Sequence, residues 1–126
     1  MLKDKSSSAI VAVKDLARAR TFYGEILGLE ATPDSSDQIL ISRTGSTKLV
    51  TYVSEFAGSN RANAAVWGVG DQIEAIAADL AKKGVVFERY DMPDATFRDG
   101  VHTVGDFRMV WFKDPDGNIL HLNSGA

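Results

Sequence analysis

Two stretches of the chain carry the same succession of apolar and polar positions. Residues 9–28 read AIVAVKDLARARTFYGEILG and residues 65–84 read AVWGVGDQIEAIAADLAKKG. Each opens on a β-branched segment, Ile10–Val13 and Val66–Val69, which predicts a strand. Leu16, Ala19, Phe22 and Ile26 then fall at helical spacing, as do Ile73, Ile76, Ala77 and Leu80, giving each helix one apolar face to pack on a sheet. Asp15 and Asp71 stand where a helix N-cap accepts from the free N–H groups of the first turn. Gly28 and Gly84 stand where a helix ends in the left-handed conformation. Val13, Asp15 and Gly28 thus return as Val69, Asp71 and Gly84, each offset by 56 residues. The pattern reads as a duplicated unit; the alternative is two unrelated strand–helix units of common length.

Further strands follow each helix. In the first unit they are expected near Glu30–Pro33, Gln38–Arg43 and Thr47–Ser54, with Thr44-Gly45-Ser46 as a hairpin turn. In the second they are expected near Val85–Tyr90, Phe107–Lys113 and Asn118–Asn123. Asp114-Pro115-Asp116-Gly117-Asn118 closes the last hairpin, proline fixing φ early and Gly117 supplying a positive φ. The sum is βαβββ twice, an α+β architecture, with a long Gly-, Asp- and Pro-rich loop from Asp91 to Asp106 in the second copy. Loops of that length are uncommon in compact domains and often functional.

Composition narrows the function classes. At 126 residues the chain is expected to form one domain, with module 1 at about 8–56 and module 2 at about 62–124. The net charge of −3, with both signs mixed along the chain, argues against nucleic acid as a partner, which needs a basic patch. No apolar run approaches a membrane span, and MLKDKSSS lacks the apolar core of a signal peptide, so the expected location is the cytoplasm. The absence of cysteine excludes disulfides, thiolate catalysis and Cys-ligated zinc, and two histidines exclude a three-His site within one chain. Neither a phosphate-binding Gly-rich Lys-Ser/Thr loop nor Gly-x-Gly-x-x-Gly occurs.

The Val13-Lys14-Asp15-Leu16 opening, the helix end Thr21-Phe22-Tyr23-Gly24-Glu25-Ile26-Leu27-Gly28-Leu29 and the closing Phe112-Lys113-Asp114-Pro115-Asp116-Gly117-Asn118 resemble the vicinal oxygen chelate superfamily, the glyoxalase, bleomycin-resistance-protein and extradiol-dioxygenase group. The resemblance spans about residues 8–124. It implies two βαβββ modules forming a curved mixed sheet around a cleft, commonly in a homodimer. Enzymes of the group hold a metal with a His seven residues before the Val-x-Asp aspartate, a His or Gln at the matching point of the second module, and a Glu three residues beyond the Asn of DPDGN. Some add a carboxylate late in the first module. In this chain those positions are Ser8, Ala64 and His121, with Val50 and then Tyr52 at the remaining one. One imidazole does not hold a catalytic divalent metal, which needs about three protein ligands. The expectation is therefore no metal and no other cofactor.

Candidate contacts for a small-molecule ligand follow from strand parity and the resemblance. His121 is expected in the cleft wall, as a ligand contact or general base, against the alternative of a partly buried histidine with ordinary partners. His102 is expected in the long loop, either exposed or closing over the cleft. Trp111 shares a face with Met109, opposite Phe112, and is expected to offer the cleft a flat wall or else to pack in a core or interface. Tyr52 is a similar candidate with a hydroxyl, Ser8, Ala64 and Val66 are candidates on the first strand of each module, and Trp67 is assigned to the helix-facing core. Phe97-Arg98-Asp99 offers a ring and a cation, or a solvated loop. A Ser8–His121 nucleophile has no supporting Gly-x-Ser-x-Gly. Two function classes stay open. One is a binder of a small apolar or aromatic molecule, similar to the bleomycin-resistance type. The other is an enzyme of the superfamily, a glyoxalase-like lyase, isomerase or dioxygenase, with His121 as base or metal ligand. Open sheet edges favour a homodimer.

Overall fold

The computed structural model describes residues 1–125. In chain order its elements are β1 (Ala9–Val13), α1 (Leu16–Ala19) running on into a π-helical segment (Arg20–Ile26), β2 (Glu30–Ala31), β3 (Ile39–Thr44), β4 (Thr47–Val53), β5 (Asn63–Gly68), a 3-10 turn (Gly70–Gln72), α2 (Ile73–Lys82), β6 (Thr96–Arg98), β7 (Val101–Val104), β8 (Phe107–Lys113) and β9 (Ile119–Asn123). They build two mixed sheets, ordered β1-β4-β3-β2 and β5-β9-β8-β7-β6, whose inner strands β1 and β5 run side by side. Each first strand pairs parallel with its module's last strand, a connection that requires a long crossover, and the helix supplies part of it.

The register carries the duplication into space. Ile10 lies opposite Val50 and Ala12 opposite Tyr52; Val66 lies opposite His121 and Gly68 opposite Asn123. The 56-residue offset that relates Val13 to Val69 also relates Ile10 to Val66 and Ala12 to Gly68. Val50 is therefore the counterpart of His121, and Tyr52 of Asn123. One module offers aliphatic and phenolic groups where the other offers an imidazole and an amide.

Both helices pack on the same side. Val11, Val13, Ala19, Phe22, Tyr23 and Leu49 of the first module are continuous with Ile73, Ala77, Leu80, Val110, Phe112, Leu120 and Leu122 of the second in one buried cluster. Phe112 and Trp67 belong to this side as expected, and the Trp67 indole N–H donates to Thr44 Oγ1 at 2.9 Å. Asp15 caps α1, accepting from Arg18 N at 3.2 Å. The Leu27 N–H reaches back to Phe22 O at 2.9 Å, an i to i+5 bond, and this widened turn accompanies burial of the consecutive Phe22 and Tyr23. Gly28 and Gly84 take φ of 78° and 92°, as helix ends of this type require. No helix among the described residues is long and apolar enough to cross a membrane.

Three expectations are corrected. Asp71 does not cap α2: it lies within the 3-10 turn, and no side chain caps the helix that follows. Val85–Tyr90 forms no strand, and its one β-bridge to the sheet among the described residues is Phe87 to Phe112. The outer strand beside β8 is instead β7, drawn with β6 from within the stretch 91–106 read as loop. Asp99 and Gly100, at φ of 53° and 85°, form the two-residue turn of that hairpin, and an Asp-Gly pair is suited to positive φ at both positions. His102 consequently sits on a strand, 1% exposed, rather than in a loop.

The DPDGN turn is more than a hairpin. Asp114 Oδ1 accepts from the Asp116 and Asn118 N–H groups, both at 2.9 Å, folding the turn around one carboxylate. Asp114 Oδ2 accepts from Tyr23 Oη at 2.7 Å and Asn118 Nδ2 at 2.8 Å, and that amide also donates to Ala12 O at 2.8 Å. Asp116 accepts from Arg18 Nη2 at 2.7 Å. The last hairpin of module 2 is thereby tied to the helix and first strand of module 1, which fixes β9 and its histidine against both sheets.

Candidate functional site

Strand parity assigns the side chains opposite the helix layer. Trp111 pairs with His121, Met109 with Asn123 and with His102, and Phe97 with His102. These residues share one face of the second sheet, since directly paired residues point the same way. Ile10, Val50, Tyr52 and Ile39 hold the equivalent face of the first sheet.

Trp111 is the centre of an aromatic cluster. The His121 ring stacks on it, with centroids 4.6 Å apart and planes 20° from parallel. The His102 ring meets it edge-on at 5.1 Å, and the Tyr90 ring at 5.2 Å. Phe97 packs edge-on to His102 at 4.8 Å, and the Arg89 guanidinium lies 4.9 Å above Phe97. Sequence parity placed Trp111 opposite Phe112; Tyr90 was expected in a strand, and its part in the cluster follows from the chain's crossing of β8, where Glu88 N donates to Trp111 O at 2.8 Å.

The hydrogen bonds of His121 fix its tautomer. Nδ1 lies 3.0 Å from Val110 O, an atom that only accepts, so Nδ1 carries the proton. Nε2 lies 3.2 Å from Asn123 Nδ2. The orientation of that amide is fixed in turn, because Asn123 Oδ1 accepts from the Gly125 N–H at 2.9 Å. A backbone donor and a backbone acceptor at the two ends thus set every polarity in the run Gly125–Asn123–His121–Val110. Burial disfavours the imidazolium and lowers the His121 pKa, opposed in part by the bond to Val110 O. His102 is held similarly: its Nε2 accepts from the Tyr90 N–H at 3.0 Å, and its Nδ1 has no partner among the described residues.

The other candidates are placed as follows. Val66 is 60% exposed on the open face beside His121. Tyr52 stands on the same side of β4, half-exposed. Ser8 is exposed just before β1. Ala64 falls at an irregularity in the β5–β9 register and packs against the buried cluster. Arg98 and Asp99 are solvated at the hairpin tip, so within Phe97-Arg98-Asp99 only the ring joins the aromatic cluster. Asn123, which orients the imidazole, was missed; its signal was position, two residues beyond His121 and so on the same strand face.

These residues do not fit a metal of the kind the resemblance implies. The positions in question hold a serine, an alanine, a valine with a tyrosine beyond it, and an imidazole with both nitrogens engaged. Among the described residues no group of three or more His, Asp or Glu side chains is arranged to hold a metal ion.

Two sheets of four and five strands, each from a strand–helix–strands module of the βαβββ type, share one helix-side core and define a paired-module α+β protein. The chain belongs to the glyoxalase/bleomycin resistance protein/dioxygenase superfamily, whose family model matches residues 6–122. No curated protein sequence matches it. Among solved structures it is similar to a glyoxalase family protein from Enterococcus faecalis, with 21% identity and a TM-score of 0.72 over 98% of this chain and 99% of that one. It is similar to the fosfomycin resistance protein FosX of Listeria monocytogenes, with 15% identity and a TM-score of 0.72 over 98% and 94% of the two chains. It is similar also to a lactoylglutathione lyase from Agrobacterium tumefaciens, with 15% identity and a TM-score of 0.71 over 98% and 95%. At these identities the likeness shows the fold.

Proposed function

We propose that this chain binds a small apolar or aromatic molecule on the open face beside Trp111 and His121, by sequestration rather than chemistry and with no metal. The observation that carries this is the state of His121. Its Nδ1–H is committed to Val110 O, its Nε2 is covered by the Asn123 amide, and its ring is spent on Trp111. A general base needs a free lone pair within reach of the proton it removes, and a metal needs that lone pair plus companions. A neutral imidazole flat on an indole is instead a wall, of the aromatic kind that lines ligand pockets. The enzyme alternative, with His121 as base, needs Asn123 to swing away first.

A second copy of the chain is the proposed partner. Ile10 and Val66 are 64% and 60% exposed on the inner strands of the open face, and Ile39 and Tyr52 lie beyond them. A homodimer covers such a surface and leaves the Trp111 wall as its lining.

The test is a thermal-shift series on the intact protein with a panel of aromatic compounds and, separately, Zn²⁺, Ni²⁺, Mn²⁺ and Fe²⁺. The expected result is stabilisation by at least one class of aromatic compound, lost in Trp111→Ala, and no stabilisation by any metal. Metal stabilisation that disappears in His121→Gln would overturn the proposal.

A further inference from the structure

Resting on the binding function proposed above, we infer that Asn123 sets the polarity of the ligand: the site selects flat apolar molecules that carry a hydrogen-bond acceptor over those that carry a donor. Asn123 cannot turn its oxygen toward the ligand, because Oδ1 holds the Gly125 N–H at 2.9 Å. Its Nδ2 carries two hydrogens. One goes to His121 Nε2 at 3.2 Å, and the other has no acceptor among the described residues. Asn123 is half-buried and sits opposite Met109, so it is the diagonal neighbour of Trp111 on the open face.

His121 offers a ligand no competing polarity. Its donor is spent on Val110 O and its acceptor on Asn123. Among the described residues the unpaired N–H donors of this cluster are the Trp111 indole N–H, the buried His102 Nδ1–H and the second Asn123 Nδ2 hydrogen, the one on the strand of His121. A carbonyl on an aromatic frame meets the Asn123 N–H while its ring lies against the Trp111 cluster. A hydroxyl donor at the same place must displace the Asn123 amide from His121 to find an acceptor. The equivalent position of module 1 is Tyr52, whose counterpart relation follows from the pairing of Ala12 with Tyr52 and Gly68 with Asn123. The polarity is thus a property of module 2 alone.

Three probes built on one naphthalene frame test this on the full chain: naphthalene, 2-naphthol and 2-acetylnaphthalene. Calorimetric titration is expected to give 2-acetylnaphthalene about tenfold tighter binding than 2-naphthol, the order of one hydrogen bond. In an ¹⁵N-correlated NMR spectrum the ketone should move the Asn123 side-chain NH₂ pair, and naphthalene should not. Asn123→Asp keeps the acceptor for Gly125 N–H but replaces the free N–H by a carboxylate oxygen, and should reverse the preference toward 2-naphthol. Asn123→Leu should bring the two affinities together. Equal or tighter binding of 2-naphthol by the unaltered protein overturns the inference, as does an unchanged ratio in Asn123→Asp. Failure of all three probes to bind overturns the binding function itself, and this inference with it.

Discussion

Tyr23, on the helix of the first module, donates its hydroxyl to Asp114 in the last turn of the second, at 2.7 Å and out of contact with water. The bond joins residues 91 positions apart in the two modules, and it explains a phenol at a position where helical spacing called for nothing polar. Replacing Tyr23 by Phe leaves Asp114 Oδ2 with Asn118 Nδ2 alone, and should cost about 1–3 kcal/mol in denaturant unfolding. Burial, then the Asp114 carboxylate, raises the Tyr23 pKa well above its ordinary value of 10.0. A group with a raised folded-state pKa stabilises fully below its unfolded value and loses that contribution as pH rises past it. The unaltered protein should therefore lose stability above pH 10 more steeply than Tyr23→Phe, and parallel alkaline melting curves would contradict the assignment.

Gly100 is a second structural test. It takes φ of 85°, and a Cβ there would stand 2.6 Å from Cδ2 of Phe87. Strain and overpacking together should make Gly100→Ala cost about 2–4 kcal/mol. Because the hairpin carries His102 and Phe97, the variant should also blue- or red-shift Trp111 emission in a Trp67→Phe background, where Trp111 is the remaining indole.

How much of this was legible in the sequence depends on what each residue answers to. The 56-residue repeat held through the strand register, because Ile10 and Val66 are placed by one short parallel pairing each. The Asp99-Gly100 hairpin was equally local, with Thr96-Phe97-Arg98 before it and Val101–Val104 after. It was misread because Gly, Asp and Pro around it raised the expectation of loop. Asp71 resembles Asp15 in type and position, yet Gly70 at φ of 62° opens a 3-10 turn before the helix, and α2 starts without a side-chain cap. The Tyr23–Asp114 and Asn123–His121 bonds had no sequence signal of their own: the first spans 91 residues, and the second depends on an amide orientation set by Gly125.

Acid stability should follow His121. Its pKa is lowered, so between that value and its ordinary 6.5 the unfolded chain takes up a proton that the folded protein refuses. Stability should fall as pH drops below 6.5, and His121→Gln should flatten that slope. Melting temperatures of both proteins from pH 7.5 to 5 in fixed salt read this out, and identical slopes would remove His121 from the account.

The homodimer has its own test. Ile10→Glu and Val66→Glu place a charge on exposed positions of the open face, away from the shared core. Light scattering should show a dimer for the unaltered protein and a monomer for the pair of substitutions, with the far-ultraviolet spectrum unchanged. A monomer in both cases would leave the open face without this partner.

The central claim is that His121 is a neutral, fully engaged wall of a binding cleft rather than a base or a metal ligand. Long-range ¹H–¹⁵N NMR of the His121 ring, followed through pH and with equimolar Zn²⁺, tests it most directly. The expected result is the Nδ1–H tautomer, a protonation midpoint below the ordinary 6.5, and no movement of the Nε2 resonance on adding zinc. A proton on Nε2, a midpoint at or above the ordinary value, or a zinc-induced shift of Nε2 would contradict it.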